Sequence, residues 1–309
     1  MIRRVHGPAV HLVGASLARI LVGFAALHFY LSNYAHRAFL LGPHAYNAGL
    51  HPRGPTLYSI APVDVVYHLG IAAALAFTLF GGRPLAAAHA VVFWSTYARN
   101  VDIFDGGDNF GRIAAIILIA AITNAYLAPG APRRRERLRT EHDTWSTFAH
   151  NGAVVLLGVQ ILIVYLSAGL QKETGVPWRA GTALHQISQL HDYRFMHWTP
   201  LLAIPVVVFA LTNAVVLLEV GFPIAMWTPA RVPWVIGCGL MHVGIAATMG
   251  LVGFALNMWA GLAICLTDDD YARLARFTRA GFRRPSRRRD RERQRPRRIP
   301  EPATPEPLR

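Results

Sequence analysis

The chain carries 31 lysine and arginine residues, and only one of them, Lys172, is a lysine. Arginine serves wherever a fixed positive charge is enough, because its guanidinium does not deprotonate in proteins. A lone retained lysine therefore marks a place where an exchangeable amine proton would be useful. Desolvation is how a lysine becomes a general base near neutral pH. The competing reading is structural: Lys172 snorkels to a membrane interface, or pairs with Glu173 or a nearby aspartate. Ahead of it stands Tyr165-Leu166-Ser167-Ala168-Gly169-Leu170-Gln171, and Trp178, Arg179 and His185 follow.

A second polar segment runs from Ser95 to Arg112 and concentrates Arg99, Asn100, Asp102, Asp105, Asp108, Asn109 and Arg112 with three glycines between apolar runs. It reads either as a solvated turn, with Asp102 and Asp105 paired to Arg99 and Arg112, or as a carboxylate site for a divalent cation. Its spacing lacks the regularity of an EF-hand loop, so no metal ligands are assigned. Arg19, His89, Glu219 and His242 are isolated in apolar stretches, and such residues face the interior of a helical bundle. Arg19 and Glu219 could pair across helices as a structural salt bridge, and His242 is either a hydrogen-bonded core residue or a proton relay. His36, His44, Tyr46, His51 and Tyr58 show no metal-ligand spacing. Cys238 and Cys265 sit in apolar runs as packing residues, without a disulfide framework or a CxxC pair. Walker, GxSxG and HExxH motifs and internal repeats are absent from the sequence.

These residues need a scaffold, and the composition says which kind. With 53% hydrophobic and 16% charged residues and a mean hydropathy of +0.31, the sequence predicts an all-α, polytopic integral membrane bundle. Roughly 20 apolar residues cross a bilayer as helix, and such stretches lie near 12–31, 62–80, 85–104, 112–128, 150–171 and 199–222. The apolar region 232–266 is too long for one span, and the segment Met249-Gly250-Leu251-Val252-Gly253 divides it in two. That makes about eight transmembrane helices. The basic start followed by an apolar run resembles a signal peptide but lacks a small-residue cleavage site, so it is read as a retained first span.

Cytoplasmic loops carry the arginine excess. Eight crossings gather 23 of the 30 arginines, including 14 in the tail, on one side. The N- and C-termini are accordingly expected to be cytoplasmic in a plasma membrane, and both polar segments extracytoplasmic. Residues 1–267 form the membrane domain and 268–282 a basic amphipathic interfacial helix, with Asp268, Asp269 and Asp270 capping an N-terminus. Residues 283–309 form a disordered Arg/Pro-rich tail. The bilayer is the expected partner of this charge, and nucleic acid is not.

The pattern YLSAGLQKETGVPWRAGTAL, with ARN and DGGDNFGR before it, resembles the horizontally transferred transmembrane domain (HTTM) family, related to the vitamin K-dependent gamma-glutamyl carboxylases. The resemblance covers most of residues 12–266 and includes Glu219 to Pro223 and HVGIAATMGLVGFALNM from His242. It implies that Lys172, matching a lysine of the family's AGxKK segment, deprotonates a naphthoquinol of the menaquinol or vitamin K type, which then reacts with oxygen. Gln171 replaces the preceding lysine, and Asn100 stands where the carboxylases carry a histidine. A short tail stands where they carry a large lumenal region that engages the protein substrate. The expected function is a quinol-dependent oxygenase or carboxylase-like enzyme with an extracytoplasmic pocket, and a secreted peptide is a candidate substrate. Lys172 is its base, and Arg99, Asn100, Asp102, Asp105, Asp108, Arg112, Trp178 and His185 shape the site. The alternative is a non-catalytic membrane protein: a small-solute or proton conductor using Arg19, Glu219 and His242, or a peptide-maturation or immunity partner.

Overall fold

Backbone amides and carbonyls removed from water must find partners within the chain, and here helices supply them. The computed structural model describes residues 7–43, 55–140, 144–191, 195–196 and 198–282, and among these no strand occurs. Nine helices of thirteen residues or more are present among the described residues: α1 (Leu12–Ser32), α2 (Val63–Phe80), α3 (Arg83–Arg99), α4 (Gly106–Leu118), α5 (Thr144–Thr174), α6 (Pro205–Ala225), α7 (Arg231–Met249), α8 (Val252–Cys265) and α9 (Asp268–Phe282). Shorter helices are named by their residues. His44, Tyr46, His51, Arg53, Arg194 and the tail beyond residue 282 lie outside the described residues.

Five helices, α1, α2, α5, α6 and α7, are long and apolar enough to cross a membrane, which suggests a lipid bilayer environment. The other three expected crossings correspond to the shorter α3, α4 and α8, of 17, 13 and 14 residues. A 13-residue helix spans only about 20 Å, less than the roughly 30 Å of a hydrocarbon core. The region 232–266 divides at Gly250, whose φ of 73° is left-handed and ends α7. Glycine adopts that conformation without the steric cost of a Cβ.

The expected span 112–128 is corrected more sharply, because α4 stops at Leu118 and the following chain is irregular yet largely buried. Side chains from other elements replace its helical hydrogen bonds. Ser16 Oγ accepts from the Tyr126 N–H at 3.1 Å, His150 Nδ1 accepts from the Ile122 N–H at 3.0 Å, and Arg19 donates to the Leu127 carbonyl at 2.6 Å. Arg135 donates to the Ala125 carbonyl at 2.9 Å. Non-helical backbone at membrane depth is tolerated only when buried in protein and satisfied in this way. The apolarity of 112–128 is thus genuine, and its helicity is overridden by tertiary partners.

Helix α8 is central, touching α1, α4, α5 and α7, while α2 joins α1 to α3 and α6 packs on α5 and α7. The α1–α8 contact brings backbones together at Gly14, where a Cβ would lie 2.5 Å from the Ala263 carbonyl oxygen. Small residues permit such approaches between membrane helices. Asp268 locks the same end: its carboxylate accepts from the N–H groups of Leu12 and Val13 at 3.1 and 2.8 Å. It therefore serves as a cap for the N-terminus of α1. Residues 269–309 form a separate unit, in which α9 continues to Phe282.

Replacing Gly14 by alanine should force α1 from α8 and cost about 1–3 kcal/mol, read as a lower melting temperature in detergent. Gly158→Ala, which meets nothing within 4 Å, should leave stability unchanged or raise it by up to about 1 kcal/mol.

Candidate acid-base site

Residues 165, 169 and 172 recur at helical spacing on one face of α5, and each finds a partner. Gly169 lets the helices approach, since a Cβ there would lie 2.7 Å from Val220 Cγ2 and 3.0 Å from Glu219 Cβ. Three residues later, Lys172 Nζ donates to both Glu219 oxygens, at 2.8 Å to Oε1 and 2.7 Å to Oε2. The Trp178 ring lies below the same ammonium, with its centroid 5.2 Å away, within reach of a cation–π attraction. One helical turn and more down α5, Tyr165 stacks on Phe222 at 4.2 Å, and its hydroxyl bonds His242 Nε2 at 2.8 Å. The His242 ring meets Phe254 edge-on at 5.4 Å.

Both predicted partnerships are corrected here. Lys172 pairs with Glu219 and not with Glu173 or the aspartate segment, and Glu219 pairs with Lys172 and not with Arg19. Arg19 is fully buried elsewhere, on the carbonyls of Leu127 and Leu79. The reason is register. The contacts 165–222, 169–220 and 172–219 run antiparallel, but they match the end of α5 to the last third of α6. The beginning of α6 packs instead against the chain around Gly181 and Leu184, through Phe209 and Thr212. Helices assumed to fill the bilayer end to end would keep Lys172 and Glu219 apart. Side-chain exposures of 22% for Lys172 and 9% for Glu219 leave the ammonium as the accessible partner.

Most residues of the Asp-rich segment are occupied structurally. Arg99 donates to the carbonyls of Leu41 and Gly42 at 2.9 and 3.1 Å, and Asn100 donates to that of Leu40 at 2.9 Å. Arg112 bonds Asn109 Oδ1 at 2.6 Å and lies over the rings of Trp94 and Tyr97. Neither arginine pairs with Asp102 or Asp105, and Asp102 is exposed. Asp105 and Asp108 form a reciprocal capping box at the start of α4. Asn257 reaches this box from α8, 3.4 Å from Asp108 Oδ1. Asn257 and Tyr165 are the contributors that sequence reasoning missed. Tyr165 had a detectable signal, its seven-residue spacing from Lys172, whereas Asn257 had only its polarity in an apolar run. His185 bonds Gln189 at 2.7 Å, and His89 stacks between Phe77 and Phe93 as a core residue. Among the described residues no group of three or more His, Cys, Asp or Glu converges.

A cavity of about 560 Å³ lies between α6, α7 and the helices Ala183–Gln189 and Thr199–Leu202, with Leu218, Met241 and Trp198 on its wall. Its volume and apolar lining suit a hydrophobic ring with a chain. Lys172 is not on that wall, so the naphthoquinol implied by the resemblance fits in size and not in polar contacts. Compared with protein-family models, curated proteins and solved structures, the chain finds no match.

The Asp105–Asp108 pair has a measurable consequence. Burial, with the Asp105 charge second, pushes the Asp108 carboxyl from 3.8 up to about 7. The folded chain then holds a proton that the unfolded chain releases near its ordinary value, so stability should fall as pH rises from about 4 to about 7 and level off above. Thermal melts across this range should show that slope, and Asp108→Asn should flatten it.

Proposed function

We propose that the protein is a membrane enzyme whose acid-base unit is the Lys172–Glu219 pair. The observation that carries this reading is the bidentate pair itself: the chain's one lysine, mostly shielded, hydrogen-bonded to a carboxylate that can take its proton. Transfer from the Lys172 ammonium to Glu219 along either bond converts an ion pair into a neutral amine and a carboxylic acid. Low local dielectric narrows the energy gap between those states. The free amine can then accept a proton from a weakly acidic substrate beside Trp178, leaving the substrate anion, and Glu219 releases the proton it holds to water, which restores the ion pair. Arginine would hold the carboxylate equally well but could not release the proton.

On this reading the scaffold is an HTTM-like bundle of about eight crossings in the plasma membrane, with both termini cytoplasmic. A quinol of the menaquinol or vitamin K type is the substrate implied by the resemblance. It would supply an acidic phenolic hydroxyl. The arginine distribution and the order of apolar stretches support the orientation. A conductor built on Arg19, Glu219 and His242 is less well supported, because Arg19 is engaged with Leu127 and Leu79 while Glu219 binds Lys172.

Lys172→Arg should leave the melting temperature nearly unchanged, since a guanidinium also pairs bidentately with carboxylate, yet reduce oxygen-dependent menaquinol consumption in membranes by at least about 100-fold. Undiminished consumption would sink the base role. Proton flux in liposomes that depends on Glu219 or His242 and ignores Lys172 would instead establish the conductor.

A further inference from the structure

The end of the bundle that carries the start of α3 contains a second cavity of different chemistry. It measures about 410 Å³ and is lined by Arg83, Arg134 and Arg137 together with Gly82, Asn124 and Ser146, with no aspartate or glutamate among the described residues of its wall. Arg83 is held by bonds from a single terminal nitrogen, Nη2, to Ser146 Oγ at 2.9 Å and to the carbonyls of Ser146 and Ala120 at 3.3 and 3.5 Å. Arg134 reaches the Asn124 carbonyl at 3.5 Å through Nη1. These bonds fix the two guanidinium groups at the rim without neutralising them. The first turn of α3 opens into the same cavity through Gly82, Arg83 and Pro84, and it has neither an acidic residue nor a side-chain cap. Its amide end therefore adds to the positive potential.

The surroundings set the depth of this cavity. Trp145, adjacent to Ser146, is 82% exposed and meets Phe148 edge-on at 6.3 Å. Exposed tryptophan at the end of an apolar helix belongs to the headgroup level of a bilayer. Planar arginine forks match the oxygens of phosphate bidentately, and basic pockets between membrane helices take anionic headgroups. We propose that this cavity binds a phosphate group of net negative charge, with Arg83, Arg134 and Arg137 as its ligands. The same chemistry is offered by the headgroup of an anionic phospholipid and by free phosphate.

The test uses the full chain in neutral detergent, titrated with phosphatidylglycerol, with phosphatidylcholine and, at constant ionic strength, with inorganic phosphate. Native mass spectrometry counts retained molecules, and melting temperature reports occupancy. Saturable binding of phosphatidylglycerol or of phosphate is expected, weakened at least tenfold in R83Q/R134Q and by less in R83K/R134K, which keeps the charge but loses the planar fork. The variant R133Q/R273Q, which removes equal charge away from the cavity wall, should bind as the unaltered chain does. Phosphatidylglycerol retained against excess inorganic phosphate identifies a lipid site, and saturable phosphate binding without lipid preference identifies a free-phosphate site. The proposal is overturned if neither probe saturates, if phosphatidylcholine binds as tightly as phosphatidylglycerol, or if R133Q/R273Q loses as much as R83Q/R134Q. Should R83Q/R134Q fail to remain monodisperse, R137Q is judged by the same criteria.

Discussion

The constraint on which this bundle depends is that no buried backbone group can be left without a partner. Where α4 ends early, backbone turn bonds carry the chain only to Ala121, and beyond it Ser16, Arg19, His150 and Arg135 supply the missing donors and acceptors. Arg99 and Asn100 do the same for the chain after α1, and Asp268 does so for the first amides of α1. Much of the polar inventory in an apolar sequence is therefore committed before any chemistry is considered. An unmade hydrogen bond in a dry interior costs more than a made one contributes, so these positions are as structural as any leucine.

Against that background the Lys172–Glu219 pair differs in kind. It satisfies no backbone group, and it joins two helices through side chains alone. A largely buried ion pair is a poor source of stability, because desolvation offsets most of the Coulomb gain, while loss of one partner costs about 3–5 kcal/mol. Gly169 is what makes the pair possible, by letting α5 and α6 approach within reach of a lysine and a glutamate. The Tyr165–His242 bond on the same face extends the polar seam from α5 to α7.

Helical class was legible in the sequence, since long apolar runs with few breakers leave little else for the backbone to do. The break at Gly250 was legible too, because an apolar run too long for one span contains a residue suited to a left-handed turn. Lys172 stood out by composition alone. Its partner did not, because hydropathy locates a residue along its own helix and says nothing about the axial offset between two helices. The same blindness made Arg19 the expected mate of Glu219. The unwinding after Leu118 was invisible for a related reason: its cause is the set of side chains on α1 and α5 that replace the local ladder, not the apolar sequence 112–128 itself.

Helix α5 has 31 residues, about 46 Å of rigid rod beside a hydrocarbon layer of roughly 30 Å. Such a rod must tilt, or project beyond the apolar layer. Lys172 sits near one end of it and the residues bonded by His150 near the other, so hydrophobic mismatch would act on both ends at once. In a bilayer, thickness would thereby become a variable of the Lys172–Glu219 pair: a thinner membrane would steepen the tilt or carry the amine toward water, and a thicker one would draw it into lipid.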